Sequence, residues 1–182
     1  MAAMAEGAPA RVWGMRLMYL VLALAVIFVN LIPLDTQPRN WAGPDLLVAL
    51  TFAWILRRPE FVPALSVAVV ILLADLLFLR PPGLWAALMV MGTQALRSRA
   101  RILRDQPFVT EWLAVSGIFV AISLGNRLIL AVLMVPQAPL GLSVIHVAMT
   151  LICYPVVVMI SQLVFGVRKS APGDLDRLGQ RT

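Results

Sequence analysis

Two charged residues, Asp75 and Arg127, stand inside long apolar runs, with Asn30, Asn126 and His146 as their main polar companions. A charge within a bilayer is costly, so such groups face a bundle interior, pair with one another or line a polar cavity. Two readings follow. Asp75 and Arg127 form an internal ion pair that fixes helix packing, or the five residues line a pocket or partner site. Both can hold together. A lone His146 on an apolar face is more often a hydrogen-bonded core residue than a ligand or base. Ser143 shares its helical face, yet nothing marks an oxyanion hole or an activated base. The sequence has no H-E-x-x-H zinc motif, and Ser116-Gly117 lacks the setting of a nucleophile elbow. No His, Cys and carboxylate residues fall at metal-ligand spacing, and no Gly-rich phosphate loop is present. No catalytic residue, metal site or cofactor is expected, and the chain is read as not an enzyme. Cys153 is the only cysteine, so no intrachain disulfide is possible.

The elements that must position these residues follow from composition. Of 182 residues, 61% are hydrophobic and 13% charged. A soluble domain is about 45–50% apolar and about 25% charged, so a water-soluble enzyme and a disordered chain are both excluded. A multi-pass membrane protein remains, all-α, with room for six helices of about 20 residues each. Apolar runs place them at 12–32, 41–57, 60–79, 84–103, 108–135 and 140–167, in one transmembrane domain over 11–167. Residues 1–10 and 168–182 are tails. The first run is read as a retained anchor, because its core is longer than a signal peptide's and no small-x-small cleavage site follows. Pro33, Asp35 and Pro38 end it. Pro44 and Asp45 suit the start of the second helix. That helix is short. It spans only if Trp41 and Ala42 join it, the Arg57–Arg58 stems snorkel, or the bilayer thins. The fourth run is also short and continues into Arg97, Arg99, Arg101 and Arg104. Pro155 marks a kink in the sixth.

Charge placement gives the orientation. With six helices and both termini inside, the inner segments hold twelve Lys and Arg residues against two, Arg39 and Arg80, outside. This is a positive-inside pattern, so the net charge of +6 needs no nucleic acid to explain it. At a rise of about 1.5 Å per residue, Asp75, Arg127, His146 and Asn30 all fall in the outer half, which suggests an outward-facing cavity. Ala64 and Ala68 form a small-xxx-small helix-packing face on the third helix, roughly that of Asp75. The basic cluster Arg97, Arg99, Arg101 and Arg104 reads as a cytoplasmic topology determinant touching anionic lipid. The five tryptophans read as interface belts.

Particular stretches carry a resemblance. Pro44-Asp45-Leu46-Leu47-Val48-Ala49-Leu50-Thr51 runs through Trp54 to Arg57-Arg58-Pro59-Glu60. Later come Leu72-Leu73-Ala74-Asp75, Arg80-Pro81-Pro82-Gly83-Leu84-Trp85, Glu111-Trp112 and Asn126-Arg127-Leu128. In order and spacing, over nearly the whole chain, these resemble MreD, the rod shape-determining membrane protein family. The resemblance implies a non-enzymatic inner-membrane scaffold of the Rod complex, or elongasome, which directs peptidoglycan synthesis and cell shape. It implies binding to MreC and, through it, a link between MreB filaments and the pair of RodA with a class B penicillin-binding protein. It also implies a six-helix fold similar to the S components of ECF transporters. The alternative is a transporter-type binding subunit holding a small polar or lipid-linked ligand in the outward cavity.

Overall fold

The computed structural model describes residues 3–32 and 42–167. Among these are six α-helices and no strand: α1 (Ala3–Leu31), α2 (Leu46–Arg57), α3 (Ala64–Leu77), α4 (Leu84–Arg104), α5 (Phe108–Val132) and α6 (Leu140–Phe165). Ala10–Leu31, α5 and α6 are long and apolar enough to cross a membrane, as a membrane protein requires. Pro33, Asp35, Pro38, Arg39, Trp41 and the expected tail 168–182 lie outside the described residues.

Local chemistry sets the helix starts. Asp45, expected within the first turn of α2, is its N-cap instead: its carboxylate accepts from the Val48 N–H at 3.1 Å. Such a cap contributes about 1 kcal/mol. The expected segment 60–79 is divided. Pro59–Phe61 forms a 3₁₀ turn, and α3 begins only at Ala64, with Pro63 as its N-cap. The cause is Pro63, which disfavours helical geometry at Val62 and has no N–H of its own.

Helix ends carry a different signature. Leu79 and Met134, just past α3 and α5, both have a φ of +53°, and Arg80 N and Val135 N close back on Asp75 O and Leu130 O at 3.0 Å. Glycine normally fills this left-handed position. Here two large apolar side chains do, and they are 93% and 91% exposed.

The helices alternate in direction, so that the starts of α2, α4 and α6 gather at one end with the finishes of α1, α3 and α5. The centre is α2. Every residue from Leu47 to Arg57 is buried. Its twelve residues rise about 18 Å against an apolar core of about 30 Å. The helix is sheathed by α1, α4 and α6, so protein rather than lipid surrounds it, and such a segment need not match the bilayer. Tyr19, Trp54 and Phe165 pack in sequence across α1, α2 and α6, with centroids 6.0 and 5.9 Å apart.

In lipid, apolar contact with acyl chains replaces water contact, so association depends on close packing and hydrogen bonds. Close packing occurs at Gly92 of α4, where an added Cβ would lie 2.3 Å from Ile122 Cδ1 and 3.1 Å from Ile118 Cγ2 of α5. The expected Ala64–Ala68 face is only half-buried, at the edge of an α3 face whose buried residues are Val67, Val70, Ile71, Ala74 and Asp75. In α6, Pro155 has no N–H for the Leu151 carbonyl. The Trp112 indole Nε1 of α5 donates to that carbonyl at 3.0 Å, so the imino acid's missing bond becomes a link between helices.

Candidate functional site

The polar residues inside the bundle form two groups at opposite ends of α2. At its C-terminal end, Arg57 is 1% exposed. Its Nη1 donates to Glu111 Oε1 of α5 at 2.7 Å and to Ala53 O at 3.4 Å. With the Gln162 amide turned to present its oxygen, that atom accepts from Arg57 Nε at 3.1 Å and Nη2 at 3.3 Å. The Tyr154 hydroxyl donates to the same Glu111 oxygen at 2.8 Å. One turn earlier, Trp54 Nε1 donates to Ser161 Oγ at 3.1 Å. Arg57 therefore does not snorkel, and Trp54, fully buried, is not an interface residue. Both are fixed by the facing surfaces of α5 and α6. Arg58, beyond the last turn, meets Glu60 at 3.3 Å on the surface, where such a pair contributes little.

Arg97 also departs from its expected role. Half-buried, it donates through Nη2 to the Val62 carbonyl, at the break that Pro63 imposes before α3. Arg99 and Arg101 are exposed and Arg104 is half-buried, so the basic cluster divides into one inward tie, one half-buried residue and two exposed ones.

At the other end, α6 clamps the chain that enters α2. His146 Nδ1 lies 2.8 Å from the Gly43 carbonyl. A carbonyl only accepts, so Nδ1 carries a proton there. One turn on, Thr150 Oγ1 accepts from Asp45 N at 2.9 Å and donates to the His146 carbonyl at 2.8 Å. These bonds satisfy non-helical backbone at residues 43–45, the condition for such backbone at membrane depth. Tyr19 of α1 adds a third tie. Thr51 donates its own proton to Leu47 O at 2.7 Å, so the Tyr19 hydroxyl, 3.0 Å away, is the donor to Thr51 Oγ1.

Asp75 and Arg127 are not joined. Asp75 is fully buried, and its Oδ2 accepts from the backbone N–H groups of Gly83 at 3.2 Å and Ala86 at 3.1 Å. It caps α4 from α3. Gly83 makes this possible with a φ of +86°, which turns the chain after Pro81 and Pro82 so that its N–H points back. Arg127 turns the other way, with Nη1 donating to Ser143 Oγ at 2.5 Å and to Ala138 O at 3.1 Å. Gln137 Nε2 closes the turn by donating to the Arg127 carbonyl at 3.0 Å. The expected ion pair is thus absent among the described residues. The carboxylate found backbone N–H groups at a helix start, where an anion is favoured, and the guanidinium found the loop between α5 and α6.

Four of the five expected cluster residues do converge. Asn30, Asn126, Arg127 and His146 line one cavity of about 740 Å³, together with Arg80, Trp85, Ser123, Ser143 and the non-helical segment Gly43–Asp45. Asn30 keeps its Nδ2 on Val26 O at 2.8 Å. Arg80 lies over the Trp85 ring, 5.9 Å from its centroid. Asp75 is not among the lining residues; it supports the wall from behind by holding the start of α4 in place. Pro44, Asp45, Pro81 and Trp85, singled out with the motif stretches, prove to be lining residues as well. Among the described residues, no three His, Cys, Asp or Glu side chains gather as a metal ion would need.

The buried Arg57–Glu111 pair is what sequence reasoning missed. Both residues sit at ends of apolar runs, where a long charged side chain ordinarily reaches the interface. Only their presence within the stretches that carry the resemblance set them apart. No family model, no curated protein and no solved structure matches the chain.

Proposed function

We propose that the chain is a non-enzymatic scaffold of the bacterial inner membrane, of the MreD type, with six membrane-embedded helices and both ends of the domain on the cytoplasmic side. One observation carries the reading: its buried ionisable side chains are committed to helix-to-helix bonds. Arg57 and Glu111 join α2 to α5, with Tyr154 adding α6. Asp75 caps α4. A bundle built this way offers its partners shape and apolar surface rather than reactive groups.

That surface is wide on α1. Among its described side chains only Tyr19, Ala23 and Ile27 are buried, one residue per turn, while Trp13, Leu17, Val21, Leu24 and Phe28 stay exposed. A transmembrane helix of an MreC-type partner fits this face, and RodA with its class B penicillin-binding protein would join the assembly alongside, with MreB filaments reached indirectly. Solubilisation and affinity purification from a rod-shaped host test the reading. The expected result is co-recovery of MreC, with photo-crosslinks from a probe at Phe28. Recovery of the chain without MreC or either synthase subunit would overturn it.

A further inference from the structure

The cavity raises a question that scaffolding does not answer, because its polar side chains are arranged with a bias of charge. Three helices start at this end of the bundle, and each start is electropositive. Two have a carboxylate in place: Asp45 caps α2, and Asp75 caps α4. The third, α6, begins at Pro139 with no side-chain cap and no acidic residue in its first turn. A cation stands there instead, since Arg127 is bonded to Ala138 O and Ser143 Oγ at the first turn of α6. A guanidinium against an uncapped helix start is an unfavourable pairing. Neither Arg127 nor Arg80 forms an ion pair among the described residues. Ser123, a half-buried residue of the cavity wall, has a hydroxyl without a hydrogen-bond partner, as has Asp75 Oδ1 behind the wall.

From these observations we infer that the cavity binds a phosphate-type anion carried on an apolar body, with Arg127 and Arg80 as its charged contacts. Arginine suits such a group, because its planar donors match phosphate oxygens in pairs. The wall also carries one carboxylate, Asp45, already committed to the Val48 N–H, and an apolar portion that includes Val26, Ile27, Leu84 and Leu130. Leu79 and Met134, beside the lining residues Arg80 and Val135's neighbour Pro136, expose apolar side chains at the same end. A phospholipid headgroup and a soluble phosphate ester present the same chemistry. The inference is independent of the scaffold reading, since anion binding needs no protein partner.

The test uses the full chain in an uncharged maltoside detergent, read by native mass spectrometry and by the unfolding midpoint. The probes are short-chain phosphatidate, phosphatidylcholine of the same chain length, and inorganic pyrophosphate. Phosphatidate is expected to bind once per chain and raise the midpoint, with phosphatidylcholine inert. Arg127→Gln and Arg80→Gln should each weaken binding about ten-fold, the worth of one charge-assisted contact, while Arg99→Gln, remote from the cavity, should not. Equal stabilisation by pyrophosphate, with the same dependence on Arg127, assigns the site to a soluble phosphate and still supports it. Absence of binding by both anionic probes, or undiminished binding by Arg127→Gln, overturns it. Should Arg127→Gln not fold, Leu130→Trp fills the cavity without removing a hydrogen bond: lost binding supports the site and retained binding overturns it.

Discussion

At the scale of the residue, charge inside an apolar run was the informative signal, and its limits are instructive. Asp75, Arg127, Asn126 and His146 stand out in the sequence because they interrupt apolar runs, and all four prove to hold or line the cavity end. Which group each would bond could not be read. The choice depended on where Gly83 and Ala138 bring their backbone, and those are long-range outcomes of packing. Asp75→Ala removes an anion that holds two helix-start N–H groups and is expected to cost about 1–2 kcal/mol. Since Arg127 is bonded elsewhere, adding Arg127→Ala should give additive loss; a double variant more stable than Asp75→Ala alone would restore the ion pair. Arg57 and Glu111 make the contrasting case. Glu111→Leu strands a buried guanidinium and should cost about 3–5 kcal/mol, whereas Arg57→Met with Glu111→Leu should recover most of it. Denaturation of the three variants in detergent decides this, and a double variant as unstable as the single one would show that the pair itself is required.

At the scale of the element, prolines and glycines located the boundaries, while the bonds between helices stayed hidden. Pro63 shortens α3, and Pro81-Pro82-Gly83 ends one helix and opens the next. Pro155 was legible as a break in hydrogen bonding, but the sequence does not say what answers the freed carbonyl. Trp112 does, from α5. A cycle isolates that bond. Trp112→Phe should cost about 1 kcal/mol in the parent, and less where Pro155→Ala has returned the Leu151 carbonyl to its own helix. Equal losses in both backgrounds would leave the indole contact without energetic meaning. The close approach at Gly92 was equally invisible, since a single glycine in a helix gives no sign of which neighbour needs the space.

At the scale of the whole molecule, the proposed orientation rests on the positive-inside count, and the cavity has a fixed place relative to the basic residues. Basic residues gather at the end where α4 finishes, and the cavity lies at the other. Impermeant thiol reagent applied to intact cells tests it. In a Cys153→Ser background, Ala138→Cys should be labelled without lysis and Ser98→Cys only after it. The reverse pattern would invert the protein in the membrane. Six helices were legible here from apolar runs alone. That one of them would be sheathed by the others was not, because a buried helix and a lipid-facing one read alike in composition.

The sheathed helix has a consequence for biogenesis. The groups that complete α2 come late in synthesis: Glu111 lies 54 residues beyond Arg57, and Ser161 lies 107 beyond Trp54. Until α5 and α6 leave the translocon, α2 carries an unpaired guanidinium and an unbonded indole on a segment too short to be held by lipid. A chain truncated before α6 would therefore leave the Trp54 indole without its Ser161 acceptor and α2 without one of the helices that cover it.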